Sequence, residues 1–495
     1  MSKFLLAIDQ GTTGSTALVV DLSGRTLGRA TVEFAQHFPK PGWVEHDPSE
    51  IWASVEACVT AALAAAGLQG KDLSAIGITN QRETTVLWEK ATGKAIANAI
   101  VWQCRRTADQ CDALRNAGHE PRVKALTGLV LDAYFSGTKI AWLLDHVDGA
   151  RARAEAGELS FGTIDTFLVS KLTGGKTHVT DATNASRTLL MDLAKLRWDP
   201  WLCELFRVPP QVLPTIVGSA EIVAHTSGVG FLPDGIPIAG MAGDQQAALF
   251  GQACFHEGDA KCTYGTGAFA LMNVGKTPIA SHHGLVTTVA FRIGNETTYA
   301  LEGSSFIAGA AVQWLRDGLG IVKTAQDIEE LAKGVPASEG VHFVPALSGL
   351  GAPHWDPSAR GAITGLTRGT TRAHIARATL EGIAFSVADL LSAMVKDAGR
   401  PLSRLRVDGG ASQNDLLMQF QSDISNVTVE RPTEIESTGR GAAMLAGIGA
   451  GFVDLTQVQA MLKLGKRFTP EMTPTDREAR LRGWDDAVAR SRTKV

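Results

Sequence analysis

The sequence has little of what marks several classes of protein. Its 495 residues include six cysteines and three tyrosines, and aromatic residues make up 6% of the chain. The cysteines show no CxxC spacing, which disfavours a zinc site or a disulfide framework and indicates reduced core thiols. No apolar run has the length of a membrane span, and no charged segment with a cleavage site precedes the first apolar run. We therefore expect a cytoplasmic protein without a membrane span.

An excess of one charge is also absent. The chain has 47 Lys and Arg against 51 Asp and Glu, which gives a net charge of −4 with both signs interspersed. Nucleic-acid binding requires a basic surface, so no nucleic-acid partner is expected and small-molecule chemistry is favoured. The length predicts two large domains, because a single core rarely grows to this size.

A glycine- and hydroxyl-rich segment, DQGTTGST at 9–16, lies between the apolar runs FLLAI and ALVV. The pattern predicts the tip of a hairpin between two antiparallel strands. Glycines allow a ligand to approach the backbone, and N–H groups and hydroxyls can surround phosphoryl oxygens, while Asp9 can hold Mg²⁺. The segment therefore predicts a phosphate loop with a metal ligand beside it. A turn that only connects strands is the alternative.

Two further glycine-rich segments occur, TYGTG at 263–267 and DGGASQN at 408–414. Residues 259–274 repeat the pattern of the first hairpin, which predicts an internal repeat on the scale of a domain. The chain contains no Walker A motif and no strand-GxGxxG-helix unit. Together the three segments resemble the two phosphate motifs and the adenosine motif of the actin-like ATPase superfamily. This resemblance implies that the nucleotide is ATP with Mg²⁺.

Apolar spacing predicts two long helices. One begins after Asp47-Pro48, which supplies an acidic start and a proline in the first turn, and ends at Gly67. The other covers residues 374–398 and ends at Gly399.

A polar cluster lies between two predicted strands, AIGIT at 75–79 and TVLW at 85–88. Its centre is the pair Arg82 and Glu83. An arginine donates to hydroxyl oxygens and a glutamate accepts hydroxyl protons, so the pair predicts a polyol site. A surface ion pair is the alternative, and the polar neighbours of the pair favour the site.

The segment IPIAGMAGDQQAALFG supplies a candidate base, Asp244, after a strand and a small-residue turn. In phosphoryl transfer an aspartate accepts the proton of the attacking hydroxyl, and we expect Asp244 at the mouth of a cleft. A role as N-cap of the next helix is an alternative that does not exclude the first. Trp102 and Tyr134 are candidates for an apolar wall and a hydroxyl, although each is also typical of a core.

The chain resembles the FGGY carbohydrate kinases along nearly its whole length. Segments 134–146 and 361–381 are similar to the two signature regions of that family, and GITNQRETT, IVWQCRRT, HVTDATNASRT and AGDQQAALFGQ are similar to its glycerol-phosphorylating members. The resemblance implies an α/β fold of two ribonuclease H-like (actin-like ATPase) domains with a cleft between them. Residues 1–250 would bind glycerol and phosphates, residues 251–495 would bind the nucleotide, and the hinge would lie near 245–255.

The resemblance also implies a reaction, transfer of the γ-phosphoryl group of ATP to a terminal hydroxyl of glycerol, giving sn-glycerol 3-phosphate. It assigns glycerol to Arg82, Glu83, Tyr134, Asp244 and Gln245, with Asp244 as base, and places Trp102 and Phe269 against the glycerol carbons. It assigns the phosphates and nucleotide to Thr12, Thr13, Gly14, Thr266, Gly309, Gln313, Gly410 and Asn414, and Mg²⁺ to Asp9. A homodimer or homotetramer is the implied assembly.

The sequence departs from the family pattern at two positions of the first loop. Many members have an arginine in place of Thr16 and a serine in place of Gly14. Loss of an arginine-phosphate contact weakens nucleotide binding by ~1–3 kcal/mol unless another cation substitutes. The loop at 227–235 also lacks the basic residue that some bacterial members use for allosteric control, so that regulation is not expected.

Two alternatives stay open from the sequence. One is a kinase for another small polyol or ketose. The other is a nucleotide-driven binding protein of the actin or Hsp70 type, which would share the three nucleotide motifs. Such a binding protein does not require a polyol-binding pair such as Arg82 and Glu83 or a carboxylate such as Asp244. The kinase is therefore favoured.

Overall fold

A computed structural model describes residues 3–434 and 436–493. The strands are β1 Phe4–Gln10, β2 Gly14–Asp21, β3 Thr26–Glu33, β4 Glu45–His46, β5 Leu73–Asn80, β6 Val86–Glu89, β7 Ala99–Ile100, β8 Leu159–Gly162, β9 Val179–Asp181, β10 Met191–Asp192, β11 Arg197–Trp198, β12 Thr215–Val217, β13 Ala224–His225, β14 Pro237–Gly243, β15 Asp259–Tyr264, β16 Ala268–Gly275, β17 Val286–Ile293, β18 Glu296–Ser305, β19 His342–Val344, β20 Ala362–Thr364, β21 Arg404–Asp408, β22 Val429–Pro432 and β23 Leu464–Phe468. The helices are α1 Pro48–Ala66, α2 Ala108–Asn116, α3 Glu120–Thr127, α4 Ser136–His146, α5 Ala150–Glu155, α6 Ile164–Leu172, α7 Ala182–Ala185, α8 Pro200–Leu205, α9 Asp244–Gly251, α10 Gly309–Asp317, α11 Asp327–Lys333, α12 Arg372–Ala398, α13 Asp415–Ser425, α14 Ser437–Gly449, α15 Leu455–Met461 and α16 Pro474–Ser491.

The first large sheet has the strand order β3-β2-β1-β5-β14-β13. Strands β1, β2 and β3 are antiparallel, whereas β1, β5 and β14 run parallel to one another. The predicted hairpin around the first glycine-rich segment is therefore confirmed. Parallel pairing also places the carboxyl ends of β1, β5 and β14 at one edge of the sheet.

The second large sheet repeats this plan with the order β17-β18-β16-β15-β21-β22-β23. Strands β15 and β16 form an antiparallel hairpin, β16 pairs antiparallel with β18, and β15, β21 and β22 are parallel. Strand β15 thus takes the place of β1, and β21 takes the place of β5. The predicted internal repeat and the mixed α/β fold are confirmed.

Both predicted long helices are present. Asp47 caps α1 by accepting from the Ser49 backbone N–H, and Gly67 and Gly399 end α1 and α12 in the left-handed conformation. The prediction that no apolar run has the length of a membrane span is wrong for these two helices, which are long and apolar enough by length and composition, although 39% of the apolar window of α1 and 78% of that of α12 are buried. Helix α12 is accordingly a core helix. Helix α1 buries a stripe that includes Ile51 and Val55, and its outer face is largely alanine.

Two helices from opposite halves of the chain pack closely behind the first sheet. A Cβ on Gly441 of α14 would lie 1.9 Å from the Ala247 carbonyl oxygen of α9, so this crossing requires glycine. Helix α14 in turn lies on the first sheet, where a Cβ on Gly77 of β5 would meet the Ala442 carbonyl oxygen. The two helices are thus in close contact, and Asp244 is the first residue of α9. All six cysteines are free and buried, as expected.

Candidate active site

The candidate site lies where the parallel strands of the first sheet end. Gln10 at the end of β1 pairs with Asn80 at the end of β5, and Asn80 pairs with Gly243 at the end of β14. The segments that follow these strands therefore emerge side by side. They are the loop 11–13, the polar cluster from Gln81 onward, and Asp244.

The first glycine-rich loop is held by hydrogen bonds to its backbone. The Gly11 carbonyl accepts from Gln81 Nε2 at 3.1 Å, and the Thr12 carbonyl accepts from Gln36 Nε2 at 2.9 Å. At Gly14 a Cβ would lie 2.8 Å from the Val32 carbonyl oxygen, so glycine is required there. The loop is thus rigid, and the exposed Thr13 lies at its tip.

Three aromatic residues from separate parts of the chain form a wall beside this loop. The ring centroid of Trp102 lies 5.6 Å from that of Tyr134 and 6.4 Å from that of Phe269, both edge to face. All three rings are half-buried. The structure therefore brings together the three aromatic residues that the resemblance assigned to glycerol.

Arg82 and Glu83 are 3% and 1% exposed, so the alternative of a surface ion pair is wrong. Their own contact is long, with 4.0 Å between Arg82 Nε and Glu83 Oε1. Arg82 Nε lies 3.1 Å from Asp244 Oδ1, and Arg82 Nη2 lies 3.4 Å from the Tyr134 hydroxyl. Glu83 has a φ of +60°, which is rare for a residue with a Cβ and indicates that the surroundings hold this turn in place.

Two charged residues that the sequence argument missed complete the cluster. Arg187 follows α7 and donates through Nε to Glu83 Oε1 at 2.6 Å. Glu302 on β18 accepts from Arg82 Nη1 at 2.6 Å and from Arg187 Nη2 at 3.1 Å. Burial tends to raise the pKa of Glu302, but the charges of Arg187 and Arg82 lower it to about 2. The sequence did offer one signal for Glu302, since it is the one acidic residue in the largely apolar segment YALEGSS.

Asp244 is the first residue of α9, and Gly243 occupies the N-cap position, so the interpretation of Asp244 as N-cap is wrong. Its side chain is 31% exposed, so the carboxylate is partly accessible to solvent. The next residue, Gln245, is buried, and its Oε1 accepts from Lys261 Nζ of β15. Burial lowers the pKa of Lys261, and the carboxylates of Asp408 and Asp244 partly oppose that effect.

Asp9 lies at the same edge, where negative charges act on its carboxyl group more strongly than the one positive charge does. Burial, followed by the charges of Asp244 and Glu436, raises its pKa to about 8, and Arg29 opposes this rise. Among the described residues no group of three or more His, Cys, Asp or Glu side chains could hold a metal ion. A carboxylate of this kind suits Mg²⁺, which takes one or two protein carboxylates and completes its shell with water and phosphate oxygens.

The second half of the chain places its own glycine-rich loop against a helix. The Thr266 carbonyl accepts from the Ala308 N–H at 2.8 Å, and the Gly309 N–H donates to the Gly265 carbonyl at 2.9 Å. A Cβ on Gly309 would lie 2.7 Å from that carbonyl oxygen, so the helix start requires glycine. Gln313 lies one turn further along α10 and is exposed. The structure thus groups Thr266, Gly309 and Gln313.

The third glycine-rich segment follows β21 beside this loop, since Thr263 pairs with Asp408. Gly410 is exposed, with open space where a side chain would lie. Asn414 caps α13, its Oδ1 accepting from the Leu417 N–H at 2.9 Å. This cap uses only Oδ1, so the side-chain amide nitrogen of Asn414 takes no part in it.

A sheet plan that occurs twice, glycine-rich loops at the strand ends, and a buried arginine beside an open carboxylate define a two-lobed α/β kinase for a small hydroxylated substrate. The models of the FGGY family of carbohydrate kinases match residues 4–251 with the N-terminal domain and residues 260–450 with the C-terminal domain. The chain belongs to the FGGY family of carbohydrate kinases.

Individual relatives are similar over the whole chain. A glycerol kinase of Myxococcus xanthus is 58% identical over 99% of both chains, and one of Aromatoleum aromaticum is 56% identical over 99% of both. Among solved structures, that of a Plasmodium falciparum glycerol kinase with ADP is 36% identical with a TM-score of 0.93, covering 100% of this chain and 99% of that one.

Proposed function

We propose that this protein transfers the γ-phosphoryl group of ATP to glycerol, giving sn-glycerol 3-phosphate and ADP. The observation that carries the proposal is the contact of 3.1 Å between Arg82 Nε and the open carboxylate of Asp244, beside an aromatic wall. A small polyol needs such a pocket, with polar groups for its hydroxyls and rings for its carbons. The full-length similarity to glycerol kinases supports the same substrate.

In the proposed reaction Asp244 accepts the proton of the attacking terminal hydroxyl. The hydroxyl oxygen forms a bond to the γ-phosphorus while the bond from that phosphorus to the bridging oxygen of ADP breaks. Arg82 and Tyr134 orient the glycerol hydroxyls, and Glu83 and Gln245 complete the polar lining that the resemblance implies. Trp102 and Phe269 pack against the carbons. Most of the acceleration then comes from positioning the two reactants.

For the nucleotide we propose that Thr12 and Thr13, with Gly14 at the start of β2, contact the phosphates from the first half. From the second half, Thr266, Gly309 and Gln313 contact phosphates, and Gly410 and Asn414 lie at the adenosine. Asp9 would hold Mg²⁺, and its unbalanced carboxyl group supports this. When bound, the ion neutralises the charge on the phosphates. The charge of Arg29 lowers the pKa of Asp9, and Arg29 itself pairs with Glu436 at 3.1 Å.

We also propose that the two domains bind different ligands, as the resemblance implies. Residues 1–250 bind glycerol and phosphates, and residues 251–495 bind the nucleotide. Closure about a hinge near 245–255 would exclude water, which competes with glycerol for the phosphoryl group. We propose a homodimer or homotetramer in the cytoplasm, as the resemblance implies.

A coupled ADP-release assay tests the proposal. The purified protein is supplied with MgATP and, in separate reactions, glycerol, dihydroxyacetone, xylulose, ribulose and gluconate. We expect the largest kcat/KM with glycerol. A larger kcat/KM with a ketose or with gluconate would assign the protein to another branch of the family, and release equal to that without substrate would contradict a role as a polyol kinase.

A further inference from the structure

Glu302 occupies the centre of the buried charge cluster although it lies 220 positions from Arg82 in the sequence. Its two carboxylate oxygens accept from Arg82 Nη1 at 2.6 Å and from Arg82 Nη2 at 2.8 Å. One of these oxygens also accepts from Arg187 Nη2 at 3.1 Å. The side chain is 2% exposed. One carboxylate from the second half of the chain therefore binds two arginines of the first half.

The contacts of Arg82 show how the bidentate pair with Glu302 orients the guanidinium group. A bidentate carboxylate fixes both the position and the plane of a guanidinium group. Glu302 binds the Nη end of the group, and Gln246 Oε1 accepts from Nη1 at 3.2 Å. The opposite edge, which carries Nε, then faces Asp244 at 3.1 Å. Glu302 thereby determines which edge of Arg82 is turned toward the cleft.

Glu302 is the closest charge partner of Arg82 in the cluster, at 2.6 Å. Arg82 and Arg187 supply two positive charges, and Glu83, Glu302 and Asp244 supply three negative charges. Without Glu302, the buried guanidinium of Arg82 would lose its closest carboxylate, and a buried unpaired charge is costly. Arg82 could then turn its Nη groups toward Asp244, which at present contacts only Nε, at 3.1 Å. Glu302 therefore holds the Nη end of Arg82 and leaves the Nε edge to Asp244.

Glu302 also joins the polyol pocket to the nucleotide half. On β18 it pairs with Leu271 of β16, the strand that carries Phe269 and follows the Thr266 loop. Arg187 braces the other side of the cluster, since it donates to Glu83 and its guanidinium lies 5.1 Å from the ring centre of Phe135. The pocket is thus held in shape by groups that need not touch the substrate.

We propose that Glu302 is a positioning residue for polyol binding, holding the guanidinium of Arg82 in the orientation that receives the substrate hydroxyls. This inference rests on the proposed function, in which Arg82 binds glycerol. It predicts that Glu302 acts on glycerol through Arg82 and has little effect on ATP.

A double-mutant cycle with Glu302→Gln and Arg82→Ala tests the proposal. In the wild-type background Glu302→Gln should lower kcat/KM for glycerol at least about tenfold, as expected for loss of a charged hydrogen bond. The KM for ATP should change less than about twofold. In the Arg82→Ala background the same substitution should cause no further loss. Equal losses in both backgrounds, or an equal effect on ATP, would overturn the proposal.

Glu381→Gln is the matched control, because Glu381 is also 2% exposed and pairs with two arginines, Arg377 at 2.8 Å and Arg480 at 3.4 Å, neither of which belongs to the polyol cluster. It should lower the melting temperature without changing the KM for glycerol. If Glu302→Gln does not fold, Glu302→Asp retains the charge but shortens the reach. A raised KM for glycerol is expected there, and an unchanged KM would overturn the proposal. Wild-type protein that does not phosphorylate glycerol would instead refute the proposed function itself.

Discussion

The indole Nε1 of Trp102 donates a hydrogen bond of 2.9 Å to Oγ1 of Thr12. This bond connects the aromatic wall of the polyol pocket with the first phosphate loop. In a phosphoryl transfer the attacking oxygen and the leaving oxygen must lie in line with the phosphorus. A hydrogen bond between the two binding segments helps to fix their relative position.

Replacing Trp102 by Phe keeps a ring against the substrate carbons but removes the donor to Thr12. We expect kcat to fall by about 2- to 12-fold, the range for one neutral hydrogen bond, with the KM for glycerol nearly unchanged. Steady-state kinetics in the coupled assay measures both. Trp142→Phe, on α4 and packed against Trp43, is the control that should leave kcat unchanged. A large rise in KM without a change in kcat would show that the ring matters and the bond does not.

Asp244→Asn should nearly abolish glycerol phosphorylation while ATP binding stays measurable by calorimetry. Loss of a general base typically lowers turnover by about 10²- to 10⁴-fold. Asp148→Asn changes an exposed carboxylate and should keep full turnover. Near-normal turnover of the Asp244 variant would remove this residue from the role of base.

Arg82→Ala should raise the KM for glycerol far more than the KM for ATP. Charged hydrogen bonds contribute about 1.5–3 kcal/mol, which corresponds to a factor of about 10 to 150. Arg153→Ala, which removes an arginine paired with Glu89 away from the pocket, is the comparison variant. The reverse pattern, with ATP more affected, would assign Arg82 to the nucleotide.

The buried ring of His46 leads us to expect that the folded protein loses stability as the pH falls. Burial, followed by the charge of His37, lowers the pKa of His46 from 6.5 to about 4. The neutral ring contacts Gln36 at 2.7 Å and Gln81 at 3.3 Å, the two residues that hold the first phosphate loop. Because the unfolded chain binds the proton more tightly, the stability contributed by His46 is present above pH 6.5 and is lost as the pH falls toward 4.

The expected loss from His46 is at most about 3.5 kcal/mol, at about 1.4 kcal/mol for each unit of pKa. Urea unfolding at several pH values between 6.5 and 4 measures it. His46→Gln should show a smaller decrease in the free energy of unfolding over this interval than the wild type. Parallel curves for the two proteins would contradict the assignment to His46.

Local patterns in the sequence predicted the two glycine-rich hairpins, the long helices and the polar cluster around Arg82. These features depend on residues close in the chain, such as the Asp47 cap and Gly67. The charge partners of Arg82 were not predictable in the same way, because Glu302 meets it only when the two sheets pack together. For the same reason the sequence indicated an Arg82-Glu83 pair, whereas each residue binds a distant partner instead.

The position of Asp244 shows a second limit of local reasoning. Its place between a strand and an apolar run is compatible with an N-cap or with the first helical turn. The structure selects the latter, since Gly243 is the N-cap and Asp244 is the first helical residue. The ion-pair partner of Asp244, Arg82, lies far from it in the sequence, so the local pattern did not predict their contact.

The stereochemistry of the product tests the central claim most directly. A pocket that holds glycerol by Arg82, Tyr134 and Asp244 presents one of its two terminal hydroxyls to ATP. Glycerol phosphate formed by the protein from MgATP and glycerol is assayed with a dehydrogenase specific for sn-glycerol 3-phosphate, against total phosphate ester measured by ³¹P NMR. We predict that the dehydrogenase oxidises all of the product. A racemic product, or no glycerol phosphate at all, would contradict the proposed site and reaction.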